Sequence, residues 1–397
     1  MFATRAMTAW GMAFWRVPAR TLLSLAAPIA LLMACSPAAQ TPTASSSTTP
    51  IPAAPVPAAC GDVLAAMSTR DKLAQLLMVG VTGADDARAV VADYHVGGIF
   101  VGSWTDRTML TDGSLADIAG SARPLPLAVS VDEEGGRVER LSDLIGSQPS
   151  PRVLAQTKSP DEVYGIALDR GRKMRALGIT VDFAPVVDVT EEPDDDVIGD
   201  RSFGSDPALV TQYAGAYARG LRDAGLLPVL KHFPGHGHGS GDSHTGGVVT
   251  PPLAELQTND LVPYRTLTTD APVAVMIGHL QVPELTGTDP ASLSRAAVDL
   301  LRSGGYGGPP YAPGFQGPVF SDDLSSMAAI NARYGVAEAV LRTLQAGVDV
   351  ALWVTTDEVP AVLDRLEKAV AAGELAMPAV DGSVLRVAAF KGPNPGC

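Results

Sequence analysis

Cysteine is scarce in this chain: Cys35, Cys60 and Cys397 are the three in 397 residues. That excludes a disulfide-framed small scaffold and a four-cysteine zinc ribbon. Aromatic residues make up 5% and tryptophan only four positions. Two of those, Trp10 and Trp15, precede the main body. Trp104 and Trp353 alone are too few to line a long cleft for a polymer. Positive charge is short as well, 29 Lys and Arg against 43 Asp and Glu, with a net charge of −14. Binding of nucleic acid or an anionic surface through a basic patch is therefore excluded. No apolar run reaches the roughly 20 residues that a membrane-spanning helix needs.

Residues 1–34 carry Arg5, Arg16 and Arg20, no acidic residue, and an apolar stretch from Leu22 to Ala34. Charge followed by a short apolar run is the order of a secretory signal, and Met12 is a second possible start. Leu32-Met33-Ala34-Cys35 resembles a bacterial lipobox, which makes Cys35 the expected lipidation site. Removal of the three arginines takes the mature chain to −17. Residues 35–59 are almost only Pro, Ala, Ser, Thr and Gln, a composition that buries no core and reads as a disordered tether. Residues 60–397 remain as one domain. Cys60 and Cys397 stand at its two ends, in an exported and oxidising setting where a disulfide between them is expected. The only membrane contact expected is the lipid anchor, and the domain is expected to be a monomer.

Within the domain, short runs of Val, Leu and Ile alternate with helical periodicity. The expected strands are Leu77–Val81, Gly98–Gly102, Leu127–Val131, Val181–Val187, Val229–His232, Val273–His279, Val319–Asp322 and Val348–Trp353. Amphipathic runs such as Glu162–Leu177 and Leu209–Ala224 fall between them. Eight continuous apolar strands alternating with helices predict an α/β fold with a buried parallel sheet. A single (β/α)8 TIM-type barrel fits this rhythm, although alternation alone does not separate it from a doubly wound sheet. Charged residues gather just after the strands: Asp132-Glu133-Glu134, Asp188, Lys231-His232, His279 and Asp322-Asp323. In barrels that edge builds the active site.

Four of the six histidines fall in the glycine-rich run from Lys231 to His244. Histidine is a common zinc ligand, but no cysteine or second histidine cluster completes a ligand set here. The reading is therefore acid/base chemistry without metal or cofactor. Asp242 and His244 are two apart, so an extended backbone would point both side chains the same way. The carboxylate then fixes the imidazole tautomer and favours its protonated form, which suits a general acid. Ser321-Asp322-Asp323 ends an apolar strand and offers a carboxylate nucleophile. A helix cap would need only one of those three polar residues.

These motifs together resemble the NagZ-type β-N-acetylglucosaminidases of glycoside hydrolase family 3. The resemblance runs from about Ser68 to Trp353. It is carried by Val131-Asp132-Glu133-Glu134-Gly135-Gly136-Arg137-Val138-Glu139-Arg140-Leu141, Asp182-Phe183-Ala184-Pro185-Val186-Val187-Asp188-Val189, Ile198-Gly199-Asp200-Arg201-Ser202-Phe203-Gly204, Lys231-His232-Phe233-Pro234-Gly235-His236-Gly237, Asp242-Ser243-His244 and Phe320-Ser321-Asp322. It implies a barrel and a retaining mechanism with Asp322 as nucleophile and Asp242–His244 as the acid/base pair. It implies sugar binding by Asp132, Arg140, Arg201, Lys231 and His232, with Met276 and His279 lining the pocket. The implied substrate is a terminal N-acetylglucosamine on a peptidoglycan fragment. Two departures stand out: Glu133 replaces the usual Gln, and His238 replaces the usual Asp. Two other classes fit parts of the pattern. A phosphorylase would release sugar 1-phosphate, and a non-enzymatic sugar-binding lipoprotein would not need both Asp322 and the Asp242–His244 pair.

Overall fold

The computed structural model describes residues 64–391 except 271 and 308–311. Cys35, Cys60 and Cys397, the leader and the tether lie outside the described residues. Eight parallel strands make the sheet: β1 (Leu77–Val81), β2 (Gly98–Val101), β3 (Ala128–Val131), β4 (Val181–Asp182), β5 (Leu227–Phe233), β6 (Ala274–Ile277), β7 (Val319–Ser321) and β8 (Ala351–Trp353). They pair in sequence order, and β8 returns to β1 through Leu77 opposite Ala351. The remaining seam, between β7 and β8, is closed by a bridge from Phe320 to Val350 and by the Ser321 N–H donating to the Val350 carbonyl at 3.0 Å. The sheet is a nearly closed barrel with helices around it. It has no second sugar-binding domain among the described residues.

Every residue of the eight strands is buried. A parallel strand sandwiched between barrel interior and helices has no polar face, hence the unbroken Val, Ile and Leu runs. Phe100, Phe183 and Phe320 fill the interior, with neighbouring ring centroids 5.8 and 5.6 Å apart. The outer helices are set by their own ends. Ser159 and Glu162 form a reciprocal capping box at the start of Pro160–Ala176. Asp206 caps Pro207–Asp223, which packs on Pro160–Ala176.

All eight expected strands are present, but six are shorter than expected, and three of these lose more than one residue: Val181–Val187, Val273–His279 (observed as Ala274–Ile277) and Val348–Trp353. The expected Val181–Val187 pairs regularly only at Val181 and Asp182, with one further bridge from Val186 to Lys231. Pro185 lacks the N–H that a regular ladder would use. The last strand begins at Ala351 rather than Val348, because Asp349 is drawn out of line. Its carboxylate accepts from Val319 N–H, Arg302, Ser383 and Arg386.

Candidate active site

Strand ends and the loops after them enclose a cavity of about 240 Å³ at the carboxyl-terminal face. That is below the roughly 300–1,000 Å³ of drug-sized pockets, and suits one sugar ring better than a chain. Asp132, Arg140, Arg201, Lys231, His232, His244, Met276 and Asp322 all line it. Asp242 stands behind His244 and reaches the cavity only through it.

The floor is an ionic lattice. Lys231 on β5 places its ammonium 2.7 Å from Asp132 and 2.6 Å from Glu134. Glu134 is also gripped by Arg201, which donates from Nε at 2.8 Å and Nη2 at 2.9 Å. Burial alone would push the Glu134 carboxyl up, yet Arg201 and Lys231 hold it far below the usual carboxylate range. Glu134 stands in the charged cluster after β3 but carries no assigned role from the sequence. The signal for it was the two-residue spacing from Asp132, which puts both on one side of an extended chain.

His232 donates from Nδ1 to the buried Asp188 at 2.7 Å, and Asp188 also accepts from the backbone N–H of His232 and His236. This leaves Nε2 of His232 facing the cavity. Asp188, noted at a strand end but assigned no role, therefore orients the wall. His236, also unassigned, lines the cavity, and its buried Nε2 has no partner among the described residues. Burial lowers the pKa of His236, keeping it neutral.

Asp322 and Asp323 differ sharply in surroundings. The Asp323 carboxylate accepts from the N–H and hydroxyl groups of both Ser325 and Ser326, so the following turn consumes it. Asp322 accepts one hydrogen bond, from the Asp323 N–H at 2.9 Å. Burial raises its pKa, but the imidazoles of His279 and His232, that N–H and the Lys231 ammonium outweigh burial and hold it below the ordinary value. His279 is placed behind the wall rather than on it. Its Nδ1 meets Ser292 Oγ and its Nε2 meets the Asp323 carbonyl, each at 2.7 Å. With both ring nitrogens engaged, it supports the Asp322 segment and does not line the pocket.

His244 Nδ1 lies 2.7 Å from Asp242 Oδ1, as expected, but the local geometry is a turn and not an extended strand. Asp242 Oδ1 also accepts from the His244 N–H at 2.9 Å, and the Asp242 carbonyl accepts from Thr245 and Gly246. An aspartate that bonds the backbone two residues on is a common turn former. The loop docks on the segment after β7, where Ala328 and Ala329 N–H groups donate to the His244 and Ser243 carbonyls.

The two departures also have partners. Glu133 accepts from the Arg140 and Leu141 N–H groups at 2.7 and 2.9 Å and pairs with buried Arg170. A carboxylate can stand in place of a glutamine there because Arg170 supplies the cation. His238 bridges Asp260 at 2.9 Å and Glu191 at 3.0 Å. Hydrogen bonding to Asp260 dominates over burial and pushes its pKa up to about 9.

Comparison with known proteins places the chain in a family. The model for the glycosyl hydrolase family 3 N-terminal domain matches residues 68–390. The β-hexosaminidase LpqI of Mycobacterium tuberculosis is 68% identical over 387 residues, covering 95% of this chain and 98% of that protein. The solved structure of M. tuberculosis LpqI superimposes with a TM-score of 0.82 at 71% identity, covering 85% of this chain and 98% of the other. A family 3 β-N-acetylglucosaminidase from Paenibacillus superimposes with a TM-score of 0.76 at 33% identity, covering 82% of this chain and 62% of the other. The chain therefore belongs to glycosyl hydrolase family 3 and is a glycoside hydrolase grouped with β-hexosaminidases.

Proposed function

We propose that the protein is an exo-acting, retaining β-N-acetylglucosaminidase that trims terminal N-acetylglucosamine from peptidoglycan fragments, held at the cell envelope by a lipidated Cys35. The observation that carries the catalytic reading is the contrast between Asp322 and Asp323. Only Asp322 keeps a carboxylate oxygen free to face a cavity that His244 also lines.

In the first step Asp322 attacks the anomeric carbon, and the bond to the leaving oxygen breaks. His244 gives that oxygen its Nε2 proton, while Asp242 holds Nδ1. The sugar is then joined to Asp322 through an oxocarbenium-like transition state. His244, now without that proton, takes one from water, and the resulting oxygen attacks the same carbon and restores Asp322 with retained configuration. Asp132, Lys231 and Arg201 orient the ring hydroxyl groups. Carboxylates accept from these hydroxyls, and cations donate to them. Arg140 and Nε2 of His232 close around the same ring, with Met276 as an apolar wall.

The deciding measurement is turnover of a chromogenic β-N-acetylglucosaminide beside the matching β-glucoside and β-xyloside. A clear preference for the first supports the reading. Equal rates on all three, or release of sugar 1-phosphate when phosphate is added, would sink it.

A further inference from the structure

Trp104 is the exposed aromatic of this surface, with 46% of its area open, whereas Trp353 is buried. It follows β2 on the same rim as the catalytic cavity. Its ring lies flat over Gly102, where an added Cβ would come within 2.4 Å of it. Its centroid sits 5.9 Å from that of Phe100. A glycine beneath and a phenylalanine beside it fix the indole with one face outward. Trp104 borders two cavities. One is the catalytic cavity, and the other, of about 390 Å³, is rimmed by Thr82, Asp86, Thr355, Thr356 and Asp357.

We infer that this second cavity is the subsite for the leaving-group sugar, with Trp104 as its stacking platform and specificity-determining residue. The inference rests on the hydrolytic reading above, because a glycosidase that binds one ring deeply must place the next ring just outside. A pyranose presents C–H groups on its face and hydroxyls around its edge. An indole face matches the former, and a ring of threonine hydroxyls matches the latter. The rim is also prearranged. Asp86 accepts from the Thr82 N–H and hydroxyl at 2.8 and 3.1 Å and from Thr356 at 2.7 Å. The lining carries acidic groups and no lysine or arginine. An acidic substituent on the leaving sugar must therefore point away from Asp86 and Asp357, toward solvent.

Two measurements test this on the full-length protein. The first compares a β-linked N-acetylglucosamine disaccharide with N-acetylglucosaminyl fluoride, whose leaving group has no ring. In Trp104→Ala the ratio of kcat/KM, disaccharide over fluoride, should fall about tenfold, which is about 1.4 kcal/mol. Trp104→Phe should restore most of it. A ratio within twofold of wild type for Trp104→Ala overturns the subsite. The second is a fluorescence titration of Asp322→Asn. The disaccharide should change tryptophan emission more than the monosaccharide does, and Trp104→Phe on that background should abolish the difference. Equal responses to both sugars overturn the subsite. If the wild type hydrolyses neither substrate, the hydrolytic reading is what falls, and the titration still decides whether the platform binds a second ring.

Discussion

Asp322 and Asp323 are the same side chain on adjacent residues, and their environments assign them different work. With its carboxylate facing the cavity, Asp322→Ala should cost on the order of 10⁴-fold or more in kcat, the scale of a removed nucleophile. Asp323→Ala should leave a large share of turnover and act mainly by loosening the Ser325–Ser326 turn. A fluorinated mechanism-based sugar, followed by peptide mapping, locates the reactive carboxylate, and labelling of Asp323 would refute the assignment. His244 has its own signature. Its alanine variant should slow glycosides with poor leaving groups by roughly 10²–10⁴-fold, the range of general acid catalysis, and activated aryl glycosides far less. Equal losses on both would make His244 a binding residue. Glu134, by contrast, carries no reacting proton. It pairs with both Arg201 and Lys231, and with Asp132 it balances their charge and fixes their positions in the floor.

At the scale of the element, the loop after β5 has to hold His244 over a pocket built mostly by strands. It is tied at intervals. Gly235 passes so close to Asp260 that a Cβ would lie 2.4 Å from the Asp260 Cβ, and Gly237 packs against the Val189 carbonyl. Ser240 N–H donates to the Val249 carbonyl at 2.8 Å, and Val248–Val249 pairs with Leu280–Gln281. The His238 bridge to Asp260 and Glu191 is the ionic tie. Within the His238–Asp260 pair both shifts are upward but act oppositely on stability: burial raises the pKa of Asp260, while pairing raises that of His238. The buried carboxylate is the costly partner and the imidazolium compensates it. A histidine with a raised folded-state pKa contributes stability that is complete below its unfolded value, near 6.5, and lost as pH climbs through about 9. Between pH 6.5 and 9.5 the wild-type Tm should therefore drop by roughly 2–6 °C more than that of His238→Asn. Parallel pH–Tm curves for the two proteins would show that the bridge contributes nothing.

At the scale of the whole molecule, the first and last described helices meet. Lys72 in Thr69–Ala74 pairs with Asp381 in Met377–Lys391 at 2.9 Å. Lys391 reaches Gln75 Oε1 at 3.2 Å and also donates to the Gly97 carbonyl. The described residues therefore begin and end on one side, and on that ground we propose a disulfide between Cys60 and Cys397, both outside the described residues. Such a link should contribute about 2–4 kcal/mol by restricting the unfolded chain. Thiol titration of the exported, denatured protein without reductant should find neither cysteine reactive, and two titratable groups would exclude the bridge.

The linear order of residues determined the barrel's repeat, because parallel strands buried on both sides must be continuously apolar and their polar ends must fall at one edge. It also determined the cast of the pocket. Asp132, Lys231, His232 and Asp322 sit at strand ends, where the barrel rhythm places them, and Arg201, which only the family 3 resemblance implied, sits in the loop after β4. Tertiary structure decided what spacing could not. Asp242 and His244 meet through a turn, since bonding within that loop wins over extension. The family 3 resemblance implied His279 as a wall residue, but Ser292 and the Asp323 carbonyl occupy both its nitrogens. Trp104 counted only as a scarce aromatic until Gly102 and Phe100 set it between two cavities. The partners of His279 lie 13 and 44 residues away, the other two outcomes depend on how a short loop closes, and no local periodicity encodes either.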